Sequence, residues 1–250
     1  MVELEEKVVS AQVEALKGTL ESAEKIKILF LVESGSRAWG WESEDSDYDI
    51  RGVFVQEDTV FNKKDQISIK VADYDVELWS LQKFLTLFAK SNPTCWEWLS
   101  SDIIYSDSTT RRELRDIFQR TASKFTLKKH YVSMAKGNFD KYIDGTEDKV
   151  NLKKYVYILR SIGCVEYLQK KMYFPPKNYR QIIEYLPTNV QKFFEKIVKD
   201  KRNSEDMTGS RNHAVEKYIT SFWEKEFKKD QAYFNLNYLD DIFRRERYGS

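Results

Sequence analysis

Val9, Val13, Leu16 and Leu20 recur at helical spacing and predict an amphipathic helix over residues 3–24. Residues 25–32 are then apolar enough for a central strand, and 37–41 have room for one helical turn. A second strand is predicted over 49–55, and Asn62-Lys63-Lys64-Asp65 is polar turn material. Residues 67–72 and 75–79 read as strands. Ser80 is a favoured N-cap for a helix to about residue 90, with Leu81, Phe84, Leu85 and Phe88 on one apolar face. Asn92-Pro93 breaks it, and a short Trp-rich helix follows over 94–99.

From Ser108 onward helical spacing dominates. The main candidates are 124–142, 151–171, 179–186, 190–199 and 211–228, with Pro175-Pro176 as a hinge or loop and 203–210 as a polar loop. No internal repeat or low-complexity segment stands out. The change of pattern near residues 105–110 divides the chain into 1–108, where strands and helices mix, and 109–250, which is helical.

Composition sharpens that division. The net charge of +1 hides an acidic first stretch, with 11 Lys/Arg against 21 Asp/Glu in residues 1–108. Residues 109–250 carry 30 against 19. A basic half suits a polyanion such as nucleic acid or a nucleoside triphosphate, and it equally suits well-solvated helices. Only two cysteines, Cys95 and Cys164, are present, so a disulfide framework is not expected. His130 and His213 are the only histidines, and no Cys/His cluster has zinc-site spacing. The chain has no apolar run of transmembrane length, and Val2-Glu3-Leu4-Glu5-Glu6-Lys7 is not a signal-peptide start. A cytoplasmic protein with no membrane partner is the expectation.

The chemistry concentrates in one stretch. Leu29-Phe30-Leu31-Val32-Glu33-Ser34 runs into Gly35-Ser36-Arg37-Ala38-Trp39-Gly40. After a short acidic segment comes Asp47-Tyr48-Asp49-Ile50-Arg51-Gly52-Val53. Side chains at i and i+2 of a strand share a face, so Asp47 and Asp49 project together. Two such carboxylates suit Mg²⁺ or Mn²⁺, hard cations that take oxygen ligands from protein and phosphate. Gly35 lets backbone approach a triphosphate, and the amides of the Gly35-Ser36 turn are donors to phosphate oxygens. Together these segments resemble the signature of the DNA-polymerase-β-type nucleotidyltransferases.

Enzymes of that type use a third acid on a neighbouring strand. Asp73, Asp75 and Glu77 share one face of the predicted 75–79 strand and its approach, with Asp75 the first choice and Glu77 the alternative.

A longer resemblance joins the chain to a family of bacterial and phage nucleotidyltransferases, some encoded beside RNA-repair ligases. It rests on Gly35-Ser36-Arg37-Ala38 with Asp47-x-Asp49-x-Arg51-Gly52-Val53. It continues through Asp75, Leu81-x-Lys83-x-Leu85 and Lys90-Ser91-Asn92-Pro93-x-x-x-Glu97-Trp98-Leu99. His130-Tyr131-x-Ser133-Met134-Ala135-Lys136-Gly137-Asn138, Lys153-Lys154-Tyr155-x-Tyr157-x-Leu159-Arg160 and Pro175-Pro176 complete it. Ser80 departs from an Asp, and Ser161-Ile162 from a Pro-Leu type of sequence.

The resemblance implies an α+β fold, a nucleotidyltransferase-type mixed β-sheet with flanking helices followed by an all-helical domain. It implies a catalytic domain over 1–108 and a substrate-binding helical domain over 109–250. Asp47, Asp49 and Asp75 would hold the metal and carry catalysis. An NTP would bind at Gly35, Ser36 and Arg37 on one side and at Lys153, Lys154 and Arg160 on the other. Lys153, Lys154 and Arg160 also fit a solvated helix face, and Trp96 and Trp98 fit a core. The expected partners are an NTP and an RNA acceptor. A protein or small-molecule acceptor, or a module that only binds nucleotide or nucleic acid, are the competing readings.

Overall fold

A computed structural model describes residues 2–57, 63–145, 148–171, 173–203, 207–230 and 234–249. Asn62 of the predicted turn and residues 204–206 of the predicted loop lie outside the described residues. The chain opens with α1 (Val2–Glu24), β1 (Ile26–Glu33) and the short α2 (Gly35–Trp39). It continues through β2 (Tyr48–Gln56), β3 (Gln66–Val71), β4 (Tyr74–Ser80), α3 (Leu81–Ala89), α4 (Pro93–Leu99) and β5 (Ile104–Ser106). Then come α5 (Thr109–Thr121), α6 (Lys124–Tyr142), β6 (Lys149–Asn151), α7 (Lys153–Lys171), α8 (Tyr179–Ile183) and α9 (Thr188–Asn203). β7 (Thr208–Ser210), α10 (His213–Thr220) and α11 (Leu236–Tyr248) complete it.

Five strands form one mixed sheet in the order β3-β4-β2-β1-β5. β2 and β4 run parallel, and the other neighbours are antiparallel. Alternation along the strands decides which face each side chain meets. Ile50 and Phe54 of β2, with Val76 and Leu78 of β4, join Val9, Val13 and Leu20 of α1 in a core on one face. Val53 and Val55 of β2 and Trp79 of β4 belong to the core on the other face, shared with the helices. Asp49, Arg51, Asp75 and Glu77 have the parity of that second set, so the carboxylates stand on the helical side of the sheet.

β1 needs a correction in phase to serve both cores. Its register with β2 shifts between Ile28 and Phe30. The extra residue lets Leu29 and Phe30 both face the helices, while Ile28 and Leu31 face α1. Fully burying an aliphatic or phenyl side chain of this kind contributes ~1.5–3 kcal/mol.

The helix-side core is continuous from Leu29 to Ile242. α11 returns to the sheet, where Glu246 pairs with Lys27 of β1 at 3.2 Å and Arg245 pairs with Glu113 of α5 at 2.7 Å. Among the described residues no helix is long and apolar enough to cross a membrane.

Several elements depart from the sequence pattern. The second half holds a two-stranded ladder of β6 and β7, where Val150 pairs with Gly209. It delays the start of α7 from the predicted 151 to Lys153 and makes 208–210 a strand rather than loop. The predicted helix 211–228 ends at Thr220 and gives way to turns. α5, capped by the Ser108 side chain, was not among the predicted elements, and neither were β5 and α11.

Candidate active site

At the end of β1 the chain turns away from the sheet. Ser34 is extended, and Gly35 enters α2 with φ 59°, left-handed backbone that costs a side-chain-bearing residue energy. A Cβ built on Gly35 would lie 1.8 Å from Oδ2 of Asp49. The backbone is therefore pressed directly against that carboxylate. Ser36 is buried, and its carbonyl accepts from the amides of Gly40 (3.0 Å) and Trp41 (3.1 Å), closing the one-turn helix. Gly40 ends it at φ 82°.

β2 presents Asp49 and Arg51 at alternate positions, Asp47 ends the loop just before the strand, and the parallel pairing sets Asp75 opposite Asp49. Arg51 stands between the two. Its Nη2 donates to Asp49 Oδ1 at 2.8 Å and to Asp75 Oδ2 at 3.4 Å, while Nη1 donates to the Asp75 carbonyl at 2.6 Å. Asp47 accepts from Lys70 of β3 at 2.9 Å. Asp47 and Asp75 are nearly half exposed, at 45% and 46%. Burial pushes the Asp49 carboxyl above its ordinary range; Arg51 opposes the shift, and the charges of Asp75 and Asp47 add to it.

Glu77, the alternative third acid, is occupied elsewhere: it accepts from the Trp79 indole at 2.6 Å. Asp75, not Glu77, shares Arg51 with Asp49.

The Asp49 amide is held from below by a residue to which the sequence pattern gave no role. Glu33, 1% exposed, accepts from it at 2.8 Å and from the Tyr105 hydroxyl at 2.5 Å. Burial pushes the Glu33 carboxyl up to about 7, against the opposing pull of Tyr105 and the Asp49 amide. The signal available in the sequence is a charged residue ending the apolar run 28–32.

The other predicted nucleotide contacts are more scattered. Arg37 lies over the Tyr48 ring at 3.9 Å and donates to the Ser46 carbonyl at 2.8 Å, so it braces the loop that carries Asp47. Lys153 lines a small recess with Trp41, Tyr157 and Lys201. Lys154, the next residue, turns to the Tyr142 ring at 4.1 Å.

Arg160 corrects the helix-face reading. It is 4% exposed, bonds Glu97 at 2.8 Å and lies 4.1 Å over the Trp39 ring. α7 is buried along most of its length, and Glu97 supplies the counter-charge that makes an interior guanidinium tolerable. Trp96 and Trp98 are buried too, within the helix-side core.

Two residues outside the expected ligand set, Tyr157 and Lys201, also reach the site. Tyr157 packs edge-on against Trp39 and Trp41, and its phenol is raised by burial and then by the charge of Asp49. Lys201 of α9 donates to the Trp41 carbonyl at 3.2 Å and to Ser46 Oγ at 3.4 Å. No spacing rule links position 201 to position 46.

Among the described residues no three His, Cys, Asp or Glu side chains converge as metal ligands in their present rotamers. Asp49 is turned to Arg51, and Asp47 to Lys70. The donor set itself is all carboxylate oxygen, with Asp49 and Asp75 on neighbouring strands beside the space that the missing Cβ of Gly35 leaves to Asp49. That chemistry fits a hard divalent cation.

The fold is α+β, and its family is one of polymerase-β-like nucleotidyltransferases. The chain belongs to the RlaP family, the RNA repair pathway DNA polymerase beta family, whose model matches residues 9–245. It is 36% identical over 200 residues to the Bacillus subtilis (strain 168) protein YcgL, covering 75% of each chain. A solved nucleotidyltransferase-like protein from Exiguobacterium sibiricum 255-15 aligns over 95% of this chain and 75% of its own, at 13% identity and a TM-score of 0.33.

Proposed function

We propose that this enzyme moves a nucleoside monophosphate from an NTP to an RNA end and releases pyrophosphate. The observation that carries the reading is Asp49 paired opposite Asp75 and pressed against Gly35 at the start of α2, with the charge of Asp47 close enough to act on it. The basic stretch 109–250 and a family whose description names RNA repair support RNA as the acceptor.

Asp47, Asp49 and Asp75 would hold Mg²⁺ or Mn²⁺, which supplies charge stabilisation for the phosphoryl displacement. In the transfer step an acceptor hydroxyl oxygen forms a bond to the α-phosphorus. The bond from that phosphorus to the oxygen bridging the β-phosphate breaks, and the pyrophosphate leaves with the electron pair. The hydroxyl proton passes to the Asp75 carboxylate, which is nearly half exposed. Gly35 and Ser36 offer backbone amides to the triphosphate, and Lys153 offers a cation from α7. Arg37 shapes the loop behind Asp47, and Arg160 supports Trp39 from inside the core. Residues 1–108 would act as the catalytic unit and 109–250 as the substrate-binding unit, in the cytoplasm.

The test is to incubate the protein with each α-³²P NTP in turn, Mg²⁺ and an RNA mixture. Label in an RNA band supports the reading. Label on the protein or on a small molecule moves the acceptor to that class.

A further inference from the structure

β1 and β2 pair from Ile26 opposite Gln56 to Glu33 opposite Ile50, and then part so that α2 can lie between them. Parting the strands leaves a backbone problem at Asp49. Its carbonyl keeps a partner in the Ser34 amide at 2.9 Å. Its amide has none on the departing strand, and a buried amide without a partner is costly. The Glu33 side chain takes that place at 2.8 Å.

Glu33 is itself fixed at every polar atom. Its amide donates to the Ile103 carbonyl at 2.9 Å, and its carbonyl accepts from Ser101 Oγ at 2.6 Å. One carboxylate oxygen takes the Asp49 amide, and the other takes the Tyr105 hydroxyl at 2.5 Å. No Lys, Arg or His makes an ion pair with it among the described residues, although it is 1% exposed. A buried carboxylate without an ion pair is a costly side chain at the end of a mostly apolar strand. A leucine there would fill the space and leave the Asp49 amide unbonded.

We propose that Glu33 is a positioning residue for nucleotidyl transfer: clamped by Tyr105, its carboxylate holds the Asp49 backbone and so fixes where the Asp49 side chain stands. The inference rests on the reading of Asp49 as a cation ligand given above. Asp49 has little freedom otherwise, with Gly35 against one oxygen and Arg51 on the other. Partners that orient a ligand from behind typically govern metal affinity by 10–100-fold.

The test titrates Mn²⁺ by electron paramagnetic resonance, without NTP, into the parent, Glu33→Leu, Glu33→Gln, Tyr105→Phe and Asp49→Asn. Glu33→Leu should bind Mn²⁺ about tenfold more weakly or worse. Glu33→Gln keeps an oxygen for the Asp49 amide and should stay within about threefold of the parent, and Tyr105→Phe should fall between them. A folded Glu33→Leu with parental affinity, or a Glu33→Gln as weak as Glu33→Leu, overturns the proposal. If Glu33→Leu does not fold, hydrogen exchange at the Asp49 amide decides in Tyr105→Phe: faster exchange supports the clamp, and unchanged exchange overturns it. A parent that binds no Mn²⁺, or an Asp49→Asn that binds it like the parent, overturns the cation reading and this inference with it. Binding that needs Asp49 but ignores Glu33 overturns this inference alone.

Discussion

Gly35 and Asp49 are in such close contact that a single methyl group on Gly35 would sit 1.8 Å from the Asp49 carboxylate. The Gly-Ser turn and the carboxylate strand, fourteen residues apart in sequence, are one piece of geometry. Gly35→Ala should therefore displace Asp49 and strain a φ of 59° at once. Transfer should fall by about 10²-fold or more while the circular dichroism spectrum stays that of the parent. Parental activity in a folded Gly35→Ala would mean that the contact does not position the reacting groups.

Asp75 and Glu77 are separated by what each already holds. Asp75 shares Arg51 with Asp49, and Glu77 is bonded to Trp79. Asp75→Asn should lose about 10²-fold or more of the transfer rate, as expected for a proton acceptor and ligand, and Glu77→Gln should lose much less. Steady-state kinetics of the two variants decide. A reversal of the order would make Glu77 the third acid.

Stability should carry a pH signature from Glu33. Burial raises its carboxyl from an ordinary 4.5 to about 7. Between those values the folded chain keeps a proton that the unfolded chain has released. Its contribution is full below about 4.5 and is lost as pH rises through about 7. Glu33→Gln cannot titrate. In EDTA, its Tm relative to the parent should rise by several degrees as the buffer moves from about pH 5 to about pH 8. A Tm difference that is flat across that window contradicts the raised carboxyl.

Much of this was legible in the chain because it is local. The i, i+2 carboxylates, the Gly35-Ser36 turn, the Ser80 cap and the apolar strand 25–32 each follow from neighbours a few residues apart. The resemblance already favours Asp75 over Glu77; what the chain does not show is Arg51, on another strand, shared by Asp75 and Asp49. Helical spacing puts Arg160 on a face that suits a nucleotide or solvent but does not show what covers it; its counter-charge, Glu97, is 63 residues away. Lys201 and the β6–β7 ladder join the site or the fold through tertiary contacts that no period along the sequence encodes.

An RNA acceptor held by the basic half should reveal itself in salt. Each phosphate contact on a single strand contributes a log–log slope of roughly −0.7. Replacing Lys153 and Lys154 together with Ala should weaken RNA binding and flatten that slope by about one unit. Fluorescence anisotropy across a salt series measures both. RNA binding that ignores salt, or a double variant that binds like the parent, would move the RNA path away from the start of α7.

The most direct measurement counts products. With the preferred NTP, Mg²⁺ and a defined RNA, pyrophosphate release and nucleotide added to the RNA end are followed together in the parent, Asp47→Ala and Asp49→Ala. The account predicts one pyrophosphate per nucleotide added, with both signals reduced on the order of 10³-fold or more in each folded variant. Pyrophosphate without RNA extension, or extension that survives in both variants, would contradict it.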